Sequence, residues 1–413
     1  MTAPTPDPWA APDRPATSWG APTGEAHTGT RTWSWLTTDV LVVAIAGLLV
    51  LFASSSLAVV RLAEEETVDL TAAQAELERR LPDLVAYVEQ ERGLAFTEPV
   101  DARVLDDERF LDALYGGGSE VEDDEEEGDA GATLTALGLL DPDDDLDAVV
   151  DEALGDGVVG FYDQESDELF VRGSSIDPYV EMVLVHELVH ALQDQRFDLD
   201  RPDLRDADDE RFSGFQSLVE GDATRVETAY YDSRPGDVQA AIDAEEQRRF
   251  AGSDREPGIV DLLLGFPYFA GQPYVEALLK SGGQARLDAA FETPPTTTEQ
   301  VLEPDGEDLE PVEVETPTSS GKRVDQGVLG AAGLSLLVPA DPTQDGPHLG
   351  WDGDRYATFT DGDETCTVVA VVMESQTARD DLAEELADWR ARTGAEVIVT
   401  GDRTLRLVSC AGS

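Results

Sequence analysis

Residues 186–190 read His-Glu-Leu-Val-His, so two of the chain's 4 histidines stand four positions apart with a carboxylate beside the first. On an α-helix, positions i and i+4 share a face, and both imidazoles can address one ion with Glu187 next to them. Zinc suits such donors: it takes neutral imidazole nitrogens, keeps a position for water, and lowers that water's pKa to about 7, where a neighbouring carboxylate can accept its proton. Glu187 is the expected general base. The competing account is a pair of structural histidines in a buried helix, and finding this spacing among so few histidines argues against it.

A third protein ligand has to come from another element, and the stretch from Phe212 to Tyr231 offers Ser-Leu-Val-Glu-Gly-Asp-Ala-Thr at 217–224. Glu220 is the expected ligand, on a helix whose packing face is Phe215, Leu218, Val219 and Val226. The alternative is a surface acid in an acidic protein. Gly221 is expected to let this helix approach the histidine helix closely. Carboxylates commonly orient metal-bound imidazoles, and Asp194 and Asp222 are both candidates. Peptide hydrolysis would also need a donor to the developing oxyanion. Tyr268 is assigned that role from a set that includes Tyr230, His348 and Arg225, each of which also fits a structural or surface role.

The elements that must position these groups are legible nearby. Asp177 and Pro178 supply an N-cap and a first helical residue, and Val180, Val183, Leu184, Leu188, Ala191 and Leu192 continue a buried helix. Val158 to Val171 predicts a β-hairpin, whose exposed strand could align an extended polypeptide by main-chain pairing. Leu70 to Arg92 carries apolar residues at helical spacing; an extended piece, Leu94 to Leu105, and a helix near Asp107 to Leu114 follow. The acidic run Glu120 to Asp129 predicts a solvated loop, with a calcium loop as the alternative. Residues 304–322 read as an acidic, Pro-rich linker. Beyond it, Cys366 to Met373, Thr377 to Arg392, Glu396 to Val399 and Thr404 to Val408 predict strand, helix, strand, strand, a small α+β module over 323–413. The expected fold class is therefore α+β, with the catalytic body at 68–303.

Residues 1–36, rich in Pro, Ala, Thr and Gly, predict a disordered tail. From Val40 to Val60 no residue is charged, and these 21 residues make about 31 Å of helix, enough for one transmembrane anchor over 37–61. A cleaved signal peptide is the alternative; the long tail without a basic segment favours the anchor. Arg61, Arg79 and Arg80 would place the body in the cytoplasm by the positive-inside count, but Glu64 to Glu66 and the scarcity of cations weaken that count. The expectation is a single-pass protein of the cell membrane with its body outside. Cys366 and Cys410 suit a disulfide and an exterior location, and two free thiols fit the same composition.

The net charge of −60 excludes nucleic acid as a partner, since phosphate backbones need a basic surface. The acids are spread over segments with apolar periodicity, which points to an ordered protein of concentrated salt rather than to disorder; there the screening length falls to about 3 Å.

His-Glu-Leu-Val-His-Ala-Leu-Gln-Asp-Gln at 186–195, followed by Leu-Val-Glu-Gly-Asp-Ala at 218–223, resembles the Glu-zincin (peptidase MA-like) superfamily, and within it a set of predicted zinc metallopeptidases and haloarchaeal surface proteins. Gly-Phe-Tyr-Asp at 160–163, Phe-Pro-Tyr at 266–268, Pro-Pro-Thr-Thr-Thr-Glu-Gln-Val-Leu at 294–302 and Gly-Trp-Asp-Gly-Asp-Arg-Tyr at 350–356 extend the likeness over about residues 70–360. The group's pattern continues with His-Pro where this chain has Glu303-Pro304. The resemblance implies a zincin-like fold, one Zn2+ and a polypeptide substrate. Two functions are then in play: a membrane-anchored zinc metalloendopeptidase, or a catalytically silent surface protein of the same fold with a binding or envelope role. The presence of the base as well as the ligands favours the first. Oligomeric state has no signature in the sequence.

Overall fold

The computed structural model describes residues 70–114, 129–154, 158–205, 209–249, 258–304, 306, 310–338 and 350–412. The expected tail, the anchor at 37–61, nearly all of the acidic run and His348 lie outside them. Among the described residues no helix is long and apolar enough to cross a membrane.

The chain is a mixed α+β protein. Helix α1 (Thr71–Arg92) buries Leu77, Leu84 and Val88 and stops at Gly93, which takes the left-handed conformation, φ 65°, that closes many helices. Strand β1 (Asp101–Leu105), helices α2 (Asp107–Leu114), α3 (Ala130–Ala136) and α4 (Leu146–Leu154), and strands β2 (Gly160–Asp163) and β3 (Glu168–Arg172) follow. The three strands form one sheet in the order β1-β3-β2. β2 and β3 are the expected hairpin; β1 runs parallel to β3.

Helix α5 (Pro178–Phe197) begins where the sequence predicts: the Asp177 carboxylate accepts the N–H groups of Tyr179 and Val180, and Pro178 occupies the first turn, where no N–H is missed. Between Tyr179 and Gln193 only Glu181 escapes burial. A helix enclosed on every side needs partners on every side, and α5 has α1, the sheet and α7 (Asp209–Asp232) around it, with α8 (Gly236–Arg249) along its first half. The short α6 (Pro202–Arg205) joins α5 to α7. Helices α9 (Ile259–Gly282) and α10 (Gln284–Glu292) pack on the far side of α7, where Phe215, Leu218 and Val219 meet Phe266, Tyr274, Val275 and Phe291.

Gly221 does not serve the contact expected of it. A β-carbon there would stand 2.2 Å from the carbonyl of Gly271 on α9, and one on Gly271 would stand 2.0 Å from the Ser217 carbonyl. The pair of glycines lets α7 and α9 touch backbone to backbone. The physical reason is helical geometry: Glu220 faces α5, so the next residue, about 100° further round, faces a different neighbour.

The C-terminal sheet comprises β4 (Lys322–Gly327), β5 (Trp351–Asp361), β6 (Glu364–Met373), β7 (Glu396–Val399) and β8 (Thr404–Gly412), in the order β4-β5-β6-β8-β7 with every pairing antiparallel. Strands β4 and β5 are additions to the expected pattern. Where one helix was expected, two form, α13 (Gln376–Glu385) and α14 (Ala387–Thr393), because Leu386 is driven into the core and ends the first while opening the second. The preceding α12 is short (Gly330–Ser335). Residues from the first half of the chain complete this layer: Leu137 joins its core and its carbonyl accepts the Trp389 indole N–H at 2.8 Å. Cys366 and Cys410, directly opposed on β6 and β8, form a disulfide. In the stretch expected as a linker, the Val312 N–H bonds to Asp352 O at 2.6 Å, so that part is tied to the sheet.

Between the helical body and this sheet, helix α11 (Thr298–Leu302) is a clip. The Thr298 hydroxyl donates to Glu210 on α7 and accepts the Ala332 N–H, while the Glu299 carboxylate accepts the N–H groups of Gly350 and Trp351 at 2.7 and 2.9 Å. Two of the sequence motifs that carried the resemblance thus meet in one structural joint.

Candidate metal centre

Helix α7 runs against α5 so that Glu220 reaches both histidines. Its Oε2 lies 3.2 Å from His186 Nε2 and 3.3 Å from His190 Nε2, and the three ligating atoms lie within 4.8 Å of one another. All three side chains are buried. The rings sit edge to face, 78° apart.

What holds the imidazoles is not what the sequence suggested. Asp194 contacts neither ring; it accepts the Tyr162 hydroxyl at 2.8 Å and the Leu199 N–H at 2.9 Å, tying β2 to the end of α5. Asp222 also stops short of them. His186 Nδ1 is 3.0 Å from Glu227 Oε2, and His190 Nδ1 is 3.1 Å from Gln193 Oε1. The Gln193 amide has a defined orientation because its nitrogen donates to two acceptors, the Val219 carbonyl at 3.0 Å and Asp222 Oδ2 at 3.1 Å. Asp222 therefore acts at one remove, through Gln193. Its charge is balanced in turn by Arg92, fully enclosed on α1 and 2.7 Å away, which also binds Gln284 and Asp288 on α10. Spacing could have revealed both true partners: Gln193 is three residues after His190 and Glu227 seven after Glu220, each on the inward face of its helix.

These contacts decide the tautomers. The Gln193 oxygen can only accept, so His190 Nδ1 carries the proton, and an ionised Glu227 sets the same tautomer in His186; Nε2 of each neutral ring is then a lone pair. Two nitrogen lone pairs then converge on a carboxylate oxygen, an arrangement that repels itself unless positive charge lies among the three. His190 Nε2 and Glu187 Oε1 are in addition buried without a hydrogen-bond partner. Both observations fit a divalent cation, and two imidazoles with one carboxylate are a donor set typical of catalytic zinc. With protons alone to supply the charge, burial pushes the His186 and His190 pKa values down, but the surrounding carboxylates outweigh it and both rise. Glu220 is moved the other way: burial raises its pKa, and the two histidines overcome this to bring it down to about 2.

Glu187 stands beside the cluster. Its Oε2 accepts the Tyr162 main-chain N–H at 3.0 Å. Strand β2 is the outer strand of its sheet among the described residues, but Gly160 to Tyr162 are buried, so it is not the exposed strand expected to align an extended chain. Burial pushes its pKa up to about 7, against the pull of His190 and His186. A carboxyl group tuned to that range exchanges protons near neutral pH.

Of the expected oxyanion donors, Tyr268 on α9 is at the site: its ring stacks on that of His186 at 6.0 Å with 20° between the planes, and it is enclosed. Tyr230 is not; its hydroxyl donates to Glu181 at 3.1 Å and its ring lies under the Arg234 guanidinium. Arg225 pairs with Asp222. No protein-family model, curated protein or solved structure matches this chain.

Proposed function

We propose that the chain is a zinc-dependent metallopeptidase of zincin-like fold, with His186, His190 and Glu220 as metal ligands, Glu187 as general base and an N-terminal membrane anchor at 37–61. The observation that carries the reading is the convergence of two imidazoles and one carboxylate beside a fourth group, Glu187, unneeded as a ligand, whose pKa is raised to about 7. A purely structural cluster has no use for that last group.

Bound zinc would supply Lewis acidity, polarising a carbonyl and making water a nucleophile near neutral pH. The protein's own groups supply the rest. Glu227 and Gln193 keep the Nδ1 protons in place and so hold both Nε2 atoms unprotonated. Glu187 Oε1 takes the proton of the attacking water and returns it to the departing amine, while the Tyr162 N–H anchors Oε2 and stops the carboxylate from rotating away. Tyr268, against His186, is the candidate donor to the developing oxyanion.

The test is metal analysis of the purified chain together with a casein or peptide-library assay in molar salt. One zinc per chain is expected, lost in Glu220→Ala. Glu187→Gln should retain the metal while hydrolysis falls by about 10²–10⁴-fold, the usual worth of a general base. A zinc-loaded wild type that hydrolyses no peptide, and that Glu187→Gln leaves unchanged, would instead support a silent surface protein.

A further inference from the structure

Tyr162 is bound to α5 at both of its ends. Its main-chain N–H donates to Glu187 Oε2 at 3.0 Å, and its hydroxyl donates to Asp194 Oδ2 at 2.8 Å. Glu187 and Asp194 stand one heptad apart on the helix, about 10 Å along its axis and only about 20° apart around it, so a tyrosine laid along that face reaches both. The ring between them is buried.

Each end is backed by a further contact. The second Asp194 oxygen accepts the Leu199 N–H at 2.9 Å, just beyond α5, which fixes the carboxylate. Asp167 Oδ1, in the turn between β2 and β3, lies 3.2 Å from the same hydroxyl. Burial and these two carboxylates push the Tyr162 pKa up, so the phenol keeps its proton and serves as a donor. At the other end Gly160 brings bare backbone against the stem of the base: a β-carbon there would stand 3.4 Å from Val183 Cγ1 and 3.8 Å from Glu187 Cγ.

For Glu187 the result is a division of its oxygens. Oε2 is committed to the Tyr162 N–H, while Oε1 is buried with no hydrogen-bond partner and is the oxygen left to take a proton. A main-chain donor can hold a side chain in this way only while its strand keeps its place. Strand β2 has four residues and, among the described residues, pairs on one side only, with β3. The sheet therefore does little to fix its distance from α5, and the hydroxyl bond to Asp194 does it directly.

We propose that Tyr162 and Asp194 are positioning residues for the general base: their bond clamps β2 onto α5, so that the Tyr162 N–H retains Oε2 and leaves Oε1 as the proton acceptor. Two sequence motifs, Gly-Phe-Tyr-Asp at 160–163 and Gln-Asp-Gln at 193–195, meet in this clamp. The service to a catalytic base rests on the peptidase reading; the clamp on Glu187 does not.

Two measurements on the full chain in detergent and molar KCl test the proposal. Hydrogen exchange by mass spectrometry, resolved to the amide of residue 162, compares the wild type with Tyr162→Phe, which removes the hydroxyl alone. Exchange is expected to quicken by about tenfold, the effect of losing one hydrogen bond. In a peptide assay of the zinc-loaded protein, kcat of the same variant should fall by about tenfold with KM and zinc content unchanged, because only the base is displaced. Asp194→Leu should reproduce both effects, and Asp194→Asn, whose amide oxygen can still accept the hydroxyl, should lose less. The Tyr162→Phe comparison stands whether or not Asp194→Leu folds. An unchanged exchange rate or an unchanged kcat in Tyr162→Phe would overturn the proposal, as would a loss confined to KM or to zinc content. Faster exchange in that variant, with no peptide cleaved by the wild type, would uphold the clamp and count against the peptidase reading alone.

Discussion

Gln193 spends its nitrogen on Val219 and Asp222, so only its oxygen is left for His190, and that single amide decides which imidazole nitrogen can meet a metal. Replacing it tests the argument at the scale of one residue. Gln193→Leu keeps the bulk, frees the ring to rotate or change tautomer, and strands the enclosed Asp222 with Arg92 as its main partner. Zinc affinity, measured by competition with a chromophoric chelator, is expected to fall by about 10–100-fold, the usual effect of losing a group that orients a ligand. Helix content should survive. An unchanged affinity would mean that the amide merely fills space.

At the scale of elements, the site depends on how closely three helices can run. Glu220 and Gly221 are neighbours that face in different directions: one completes the ligand set against α5, the other admits the backbone of α9. Gly221→Ala would drive a methyl group to within 2.2 Å of the Gly271 carbonyl, where no flexible side chain can give way. The helices must separate, and overpacking of this kind costs about 1–3 kcal/mol. Denaturant melts should show that loss, and metal affinity should drop with it, because α7 also carries Glu220. Gly271→Ala makes the same clash from the other side, so it is expected to reproduce the stability loss in full.

At the scale of the molecule, the α11 clip joins body and sheet through a carboxylate that is poorly solvated. Burial, together with nearby Glu374 and Glu303, raises Glu299 from 4.5 to about 7, although the Gly350 and Trp351 N–H groups pull it down. The folded chain therefore holds this proton more tightly than the unfolded chain does. Its contribution to stability is complete below about 4.5 and is lost as the pH rises through about 7. Glu299→Gln keeps an oxygen for both N–H groups and removes the charge, so it should flatten the decline in stability across that window in denaturation series at several pH values. Charge also acts globally. With a net −60, raising KCl from about 0.1 M to about 2 M is expected to shift the denaturation midpoint upward by screening repulsion between acids. A midpoint indifferent to salt would remove the halophilic reading.

The sequence alone determined what local rules govern. The Asp177-Pro178 start of α5, the β2–β3 hairpin and the facing of His186 with His190 follow from capping, alternation and helical period, which act within a few residues. Even Glu220, 30 residues beyond His190, was legible because few acids stand on an otherwise apolar helix face. Tertiary structure decided everything that required knowing which faces meet. It chose Glu227 and Gln193 over Asp194 and Asp222, paired Gly221 with Gly271, and lent Leu137 to the C-terminal core across 252 residues of chain to reach Trp389. The two strands missed there fail the alternation test for different reasons: β4 is a largely exposed edge strand of polar residues with only Asp325 buried, and β5 is buried along most of its length, so its apolar and polar residues do not alternate. Periodicity says which way a side chain points from its own element; only packing says what waits for it there.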